Sequence, residues 1–331
     1  WQPAEAAALW ERSSALDPAF PVVWRNLALA YARAGGDSSS SRAISSLERA
    51  VALSDAYPAH FAELDGLYAS ACEPVAKRLG LLERHQEALA TNDECLARLI
   101  TLKTFVGKTD ESIDLLLGHT FNIWEGGARF DTGDMWTDAH LARGRARLAA
   151  GRKGEALADF EDALRFPSNL RAEPWEGTGS RAIEAAYWVG LGHEALGEPA
   201  KAREAWRAAA GASLPRTLRR SADNASFDRS VQHYYQALAL RKLGETQAAA
   251  AIFRETAEAG ETAARGQPDG ADASAASRSR PSPRSRMADA LYLSGLGHAG
   301  LGDLARARAD FEAALAASPD NLGAKLAIGG N

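Results

Sequence analysis

The sequence has few of the residues that mark a metal site, a disulfide framework or a catalytic centre. Two cysteines, Cys72 and Cys95, occur in 331 residues, and their spacing fits no metal-ligand pair. Such sparse cysteine favours a reduced compartment, so we expect a cytoplasmic protein. The seven histidines include no H-x-x-x-H pair, and neither a glycine-rich phosphate loop nor a nucleophile elbow is present. We therefore expect neither a metal nor a cofactor.

An excess of positive charge and long apolar runs are also missing. Acidic residues outnumber basic ones by 43 to 38, and the formal charge is −5. Nucleic acid is therefore not an expected partner, because its binding needs concentrated basic surface. No run reaches the roughly 18 apolar residues of a membrane span, so we expect no membrane partner either. β-Branched residues are sparse and alanine is abundant, which favours helices.

One spacing recurs between residues 144 and 311. A small residue is followed after 7 residues by Gly, after 5 more by Ala and after 4 more by an aromatic residue. The four copies are Gly144, Gly151, Ala156 and Phe160; Gly190, Gly197, Ala202 and Trp206; Ala237, Gly244, Ala249 and Phe253; and Gly295, Gly302, Ala307 and Phe311. Small residues let two helices cross closely, Gly permits a tight turn, and the ring fills the space toward the next repeat. The spacing therefore predicts a series of helix pairs.

This spacing resembles the tetratricopeptide repeat, a helix-turn-helix unit of about 34 residues. The resemblance implies an all-α, right-handed superhelical solenoid that binds protein or peptide. We expect a single solenoid over residues 1–331, with irregular repeats in 1–118, a loop in 119–136 and regular repeats in 137–331. Because the first segment supplies only the second helix of a repeat, we also expect a fragment of a longer protein.

Insertions are predicted between the regular repeats. The turn glycines of the four copies are 46, 47 and 58 residues apart, more than a bare repeat needs. The insertions comprise residues 166–181, 211–230 and about 260–286. The last is of low complexity, so we expect it to be disordered. Its arginines could form a nucleic-acid patch, but the acidic charge of the chain favours a solvated linker. A polar run at 38–41 likewise predicts a flexible loop.

The loop at 119–136 has the most unusual composition in the chain. Its candidate binding residues are His119, Trp124, Glu125, Gly126, Gly127, Arg129, Asp134 and Trp136. The next insertion repeats the W-E-G theme with Trp175 and Glu176, followed by Arg181. Loops on rigid scaffolds often carry binding, so we interpret the two loops as a paired docking surface. The alternative is capping, in which each Trp fills a gap between repeats and each Glu lies near a helix N-terminus.

Three tyrosines occupy equivalent positions in successive repeats. Tyr187, Tyr234 and Tyr292 could form an aromatic ladder for a peptide or a sugar, since tyrosine offers an apolar face and a hydrogen-bonding tip. Packing alone also explains a tyrosine at this position.

Catalysis by the loops is a further alternative. His119 with Glu125 or Asp134 could act as an acid–base set, and Glu125 with Glu176 as a carboxylate pair. Nothing in the sequence sets the distances between these groups.

A second resemblance covers the loop together with the repeats that follow it. The run FNIWEGGARF resembles the C-terminal region of large bacterial proteins that carry an N-terminal domain of unknown function, catalogued as number 5107. The motif H-x-x-x-x-W-E-G-G is matched from His119 to Gly127, and F/Y-P-x-N-L from Phe166 to Leu170. The resemblance implies a β-rich, carbohydrate-active module ahead of the repeats. We expect the repeats to be a non-catalytic scaffold that docks on that part; alternatively, they contribute loop residues to its active site.

Overall fold

Helices provide all the regular structure of the residues described here. The computed structural model describes residues 2–35, 37–122, 130–170, 181–214, 222–266 and 282–329. These ranges contain seventeen α-helices, one short 3-10 helix and no strand. Among the helices so described, none combines the length and the hydropathy that a bilayer span requires.

The first of two compact units comprises Trp1–Leu102, Pro268–Ser285 and Ser318–Asp320. Its helices are α1 (Pro3–Leu16), α2 (Pro21–Ala34), α3 (Asp37–Leu53), α4 (Pro58–Ser70), α5 (Val75–Arg84), α6 (Gln86–Leu89) and most of α7 (Asp93–Val106). A fully buried carboxylate, Asp65, joins three segments of the unit. It accepts hydrogen bonds from Arg78 (2.7 Å) and Arg98 (2.9 Å), and Arg78 also donates to Asp320 (2.6 Å).

The second unit comprises Lys103–Gln267, Arg286–Ala317 and Asn321–Asn331. After the end of α7 its helices are α8 (Thr109–Gly118), α9 (Thr132–Ala149), α10 (Lys153–Asp162), the 3-10 helix Ser168–Leu170, α11 (Ala182–Ala195), α12 (Pro199–Gly211), α13 (Ala222–Leu243), α14 (Thr246–Arg265), α15 (Pro283–Leu301), α16 (Leu304–Ala317) and α17 (Leu322–Gly329). Helices α8 to α14 pack each on the next, and α16 packs on α17. The predicted all-α helical-repeat solenoid is confirmed.

Glycine turns separate the paired helices of the second unit. Gly151, Gly197, Gly244 and Gly302 have φ values between 76 and 94°. A residue with a side chain is strained in this left-handed region, whereas glycine adopts the conformation readily. The turn role predicted for these four glycines is confirmed.

Close helix crossing explains the small residue of each repeat. A Cβ atom on Gly144, Gly190 or Gly295 would lie 2.2–2.5 Å from the aromatic ring of the same repeat, which is Phe160, Trp206 or Phe311 respectively. Only a glycine fits at this separation. The close crossing predicted at the small position is therefore present in these three copies, and the ring predicted to face the next repeat lies against the small residue of its own repeat.

Several predicted loops are wrong at their ends because helices extend into them. Helix α3 begins at Asp37, so the polar run 38–41 is helical; aspartate and serine are favoured where helices start. The insertion predicted at 211–230 ends earlier, since α13 begins at Ala222. Helix α14 continues to Arg265 and α15 begins at Pro283, which leaves residues 267–281 of the third insertion outside the described residues.

Gly260, where the third insertion was expected to begin, lies inside α14. A Cβ atom there would be 2.3 Å from the backbone nitrogen of Ser294 in α15. This glycine therefore permits close packing between neighbouring repeats and does not mark a break. That the whole chain forms one continuous solenoid stays a prediction.

Candidate functional site

The two W-E-G loops of the second unit have a common base. The side-chain amide of Asn169, which precedes the second loop, donates to the carbonyl oxygens of Leu116 (2.8 Å) and His119 (2.7 Å), where the first loop begins. Where the first loop ends, the Thr132 hydroxyl donates to the carbonyl of Leu170 at 2.9 Å. Both ends of the first loop are thus bonded to the start of the second. We call these five residues the loop base.

An aromatic cluster fills the space beneath the loop base. Phe121 is fully buried, and the ring of His119 meets it edge-on with centroids 4.7 Å apart. Phe130 meets Phe121 from the other end of the loop at 5.7 Å. The candidate residue His119 therefore has its ring against an apolar core and its carbonyl bonded to Asn169.

The start of α9 shortens the loop predicted at 119–136. Asp131 is the N-cap residue, and its carboxylate accepts a hydrogen bond from the backbone N–H of Asp134 at 3.0 Å. Such a cap satisfies one of the free N–H groups of a first turn, so the helix begins at Thr132. Asp134 and Trp136 are helical residues and not loop residues.

Trp136 caps the end of a neighbouring helix. Its indole N–H donates to the carbonyl of Asp162, the last residue of α10, at 2.8 Å. The hydroxyl of Thr137 donates to the next carbonyl, that of Ala163, also at 2.8 Å. Trp136 is 5% exposed, and its ring lies 4.2 Å from that of His140. These contacts hold α9 against α10, and a binding role for Trp136 stays a prediction.

Arg181 lies at the far end of the second loop and is held by two carboxylates. It donates to Asp138 on α9 and, at 2.9 Å, to Glu184 on α11. Burial lowers the pKa of Arg181, but Asp138 and Glu184 outweigh it, so the pKa stays above its ordinary value. The backbone N–H of Glu184 in turn donates to the side chain of Gln232 at 3.0 Å. Arg181 thereby connects α9 to α11, and the Glu184 backbone connects α11 to α13.

The three ladder tyrosines are each 8% exposed. Tyr234 and Tyr292 pack against the aromatic residue of their own repeat, Phe253 and Phe311, with centroids 5.6 and 5.9 Å apart. Tyr187 packs on Tyr235 at 5.8 Å. Burial raises the pKa of all three ladder tyrosines. The contacts favour the packing role, and binding by these rings stays a prediction.

A buried carboxylate in the second unit was not among the candidates. Asp159 is 1% exposed and accepts hydrogen bonds from Arg143 and Arg147, each at 2.9 Å, while His140 Nδ1 lies 3.3 Å away. Burial alone would raise its pKa, but the bonds from His140 and Arg143 lower the pKa below its ordinary value. The closely spaced arginines of α9 are the feature of the sequence that could have indicated this buried carboxylate.

The remaining candidates lie outside the described residues. They are Trp124, Glu125, Gly126, Gly127, Arg129, Trp175 and Glu176. The candidates that the structure does describe fall into two groups. His119 belongs to the loop base, whereas Trp136, Arg181 and the tyrosines make contacts that support the helices. Asn169 and Thr132, which join the loops, were not candidates, although Asn169 belongs to the second resemblance motif.

Comparison with family models identifies one repeat directly. Residues 288–321 match the tetratricopeptide repeat model. The chain contains a tetratricopeptide repeat. It comprises most of α15, the turn at Gly302 and α16, which is the last of the four copies of the spacing. The tetratricopeptide character of this copy agrees with the predicted resemblance.

Solved structures of similar fold are distant in sequence. YrrB, a tetratricopeptide protein with an unusual peptide-binding site, is 16% identical, with 62% of this chain and 92% of YrrB covered and a TM-score of 0.40. The apo quorum sensor NprR from B. thuringiensis is 9% identical over 90% of this chain and 76% of its own, with a TM-score of 0.45. A tetratricopeptide protein from Parabacteroides merdae is 14% identical over 84% and 87%, with a TM-score of 0.41. No function is carried over from them.

Proposed function

We propose that this chain is a non-catalytic scaffold whose paired W-E-G loops bind protein. The partner we infer is the N-terminal part of its own full-length protein. A helical-repeat array offers a rigid framework, and its loops are the segments free to carry recognition.

The loop base is the observation that supports this proposal. Asn169 bonds to the carbonyls of Leu116 and His119, and Thr132 bonds to that of Leu170, so both loops start from one fixed point. Because the described residues that flank the two loops are bonded to each other, we propose that Trp124 and Trp175 bind one partner. Buried tryptophans are frequent among the few residues that dominate the free energy of binding at protein interfaces.

The polar groups around the loop base also suit a supporting role. Asn169, Trp136 and Thr137 use their donors on backbone carbonyls, and Arg181 is paired with Asp138 and Glu184. These bonds stiffen the base from which the loops rise. A stiff base lowers the entropy that a docking surface loses when it binds.

Calorimetry on separately expressed parts tests the proposal. The N-terminal part should bind the repeats, and Trp124→Ala or Trp175→Ala should each weaken the binding free energy by about 2 kcal/mol, the cost typical of a dominant interface residue. Because the loops share a base, the double variant should show a coupling energy of at least about 0.5 kcal/mol.

Leu196→Ala provides the matched control. Leu196 is an exposed apolar residue at the opposite end of α11 from Arg181, so its truncation should leave the affinity unchanged. The proposal would be contradicted if the two parts do not bind each other and Trp124→Ala leaves the full-length protein unchanged.

The same base supports a second candidate function, in which the loops complete a carbohydrate-active site. In this candidate function Glu125 and Glu176, whose loops are flanked by the loop base, act as an acid–base pair. Under this hypothesis Glu125→Gln in the full-length protein abolishes turnover while its melting temperature is unchanged. Unchanged turnover removes this candidate and leaves the scaffold.

A further inference from the structure

A buried tyrosine of the first unit joins three successive helices. The hydroxyl of Tyr31 on α2 donates to Glu11 on α1, and Arg42 on α3 lies over its ring, with Cζ 4.0 Å from the ring centre. Tyr31 lies four residues before Gly35, whose φ of 73° marks the turn after α2. We call this arrangement a clasp: a side chain four residues before a left-handed turn contacts the helices on both sides of its own.

The clasp recurs at the next such turn. Tyr68 on α4 donates to Glu48 on α3 at 2.6 Å, and the amine of Lys77 on α5 lies 4.1 Å from its ring centre. The turn residue here is Cys72, with a φ of 55°. Burial and the bonded carboxylate raise the pKa of Tyr31 to about 12, and the same causes raise the pKa of Tyr68. Both hydroxyls therefore keep their proton at physiological pH.

The second unit has a clasp built on a histidine. His298 on α15 lies four residues before Gly302, whose φ is 85°. Its Nδ1 lies 2.8 Å from a carboxylate oxygen of Asp310 on α16, and its Nε2 lies 3.5 Å from Glu261 on α14. The Ser294 hydroxyl donates to the same Asp310 oxygen at 2.8 Å. His298 is 8% exposed, so its ring is held among these groups.

The helices on either side of Glu261 are in close contact. A Cβ atom on Gly297 would lie 2.4 Å from the backbone nitrogen of Ala257 in α14, so a small residue lets α14 and α15 cross beside His298. Glu261 lies one turn beyond Ala257, near the end of α14 at Arg265. The His298 clasp therefore acts on the part of α14 that follows the crossing.

An imidazole differs from a phenol because it changes its charge within the physiological pH range. Among the described residues, the charged groups paired with the ring nitrogens of His298 are Glu261 and Asp310. A neutral imidazole has one N–H, whereas the protonated ring has two. The shorter distance identifies Asp310 as the partner of the neutral ring, whose other nitrogen then turns a lone pair toward Glu261. The contact with Glu261 is therefore the one that needs the second proton.

We propose that the His298 clasp is a pH-sensitive latch on the end of α14. At acidic pH the charged ring attracts both carboxylates and fastens α14 to α15 and α16. As the pH rises, His298 loses the second proton and releases Glu261. The clasps of Tyr31 and Tyr68 keep their contacts over this range, since their hydroxyls do not ionise there. Helix α14 ends at Arg265, beside the third insertion, so the latch sets how firmly the last helical turn before that insertion is held.

Hydrogen exchange at the end of α14 tests the latch. Protection factors, which remove the intrinsic pH dependence of exchange, are measured for the amides of residues 262–265 at about pH 5.5 and about pH 8, on either side of the histidine range. In the unaltered chain, protection at the lower pH should be at least about threefold greater, as expected of a partly exposed ion pair. In His298→Tyr, which introduces the residue of the other two clasps, the two values should be equal.

Glu261→Gln is a second variant that keeps the histidine. The Glu261 side chain is 44% exposed, so its replacement should leave folding intact and should equally abolish the pH effect. His193→Tyr is the matched control. His193 also lies four residues before a left-handed turn, at Gly197, but its Nδ1 contacts Glu198 of its own helix pair at 2.7 Å. This variant should show the same pH effect at the end of α14 as the unaltered chain.

Two results would overturn the proposal. The first is equal protection of the α14 amides at the two pH values in the unaltered chain. The second is a pH effect that persists in Glu261→Gln, and this variant decides alone should His298→Tyr fail to fold. The proposed docking function is tested separately, because it concerns binding by Trp124 and Trp175 and does not involve the end of α14.

Discussion

Individual side chains in the second unit make contacts that composition alone does not predict. Trp136 is bulky and near the W-E-G sequence, which favours a docking role. Its indole donates to the carbonyl of Asp162 and completes the end of α10, while the docking role stays a prediction. The pairing of a side-chain donor with a helix-end carbonyl 26 residues away depends on how the two helices of the repeat pack, which neighbouring residues in the sequence do not reveal.

Trp136→Phe should lower the free energy of unfolding by about 1–3 kcal/mol, because the partly buried Asp162 carbonyl loses its donor. Urea unfolding measures the change. Trp188→Phe is the control: the Trp188 indole nitrogen is buried and has no hydrogen-bond partner within the described residues. Its removal should cost less, and equal losses in the two variants would mean that the Trp136 bond contributes nothing.

Asp159→Asn should destabilise the chain by at least about 2 kcal/mol at neutral pH, because Arg143 and Arg147 lose a buried counter-ion. The pKa of Asp159 is lowered by folding, so its contribution is complete above the unfolded-state pKa of about 4 and is lost as the pH falls through the folded value. Unfolding curves should therefore converge for Asp159→Asn and the unaltered chain below about pH 4. The exposed Asp114→Asn on α8 should show neither effect, and a pH-independent difference would contradict the pairing.

At the scale of helices and turns, the recurring spacing was highly informative. It placed four turn glycines and three close helix crossings, because both depend on steric rules that act over a few residues. The same rules failed at loop ends. Asp37 and the serines after it have turn-like composition, yet they begin α3, since the residues favoured at helix starts are also those favoured in loops.

Gly190→Ala should destabilise the second unit by about 1–3 kcal/mol, the usual cost of overpacking. Its Cβ atom would lie 2.2 Å from Trp206 Nε1, so the ring has to move. Gly154→Ala, at an open helical position, should instead be neutral or stabilising by up to about 1 kcal/mol. Chemical unfolding measures the free energy of unfolding of both variants. An undiminished value for Gly190→Ala would show that the helix pair accommodates the added methyl group at little cost.

At the scale of the whole molecule, the fold class could be predicted and the joining of distant segments could not. The all-α repeat architecture follows from alanine content and the 7, 5, 4 spacing. In contrast, Asn169 bonds to residues about 50 positions away, and Lys325 to a carbonyl 220 positions away. Such contacts depend on how successive repeats pack along the array. The sequence of one repeat does not determine that packing. The candidate loops were therefore found by composition, while the residues that join them were missed.

The Asn169 amide has a consequence for protein engineering. Repeat arrays are ordinarily cut and recombined one repeat at a time, because each repeat interacts with its immediate neighbours. Here the bonds from Asn169 to Leu116 and His119, and from Thr132 to Leu170, cross a repeat boundary through the loops. A transplant that is to carry the W-E-G loops into another solenoid has to take the segment from α8 to α11 as one cassette.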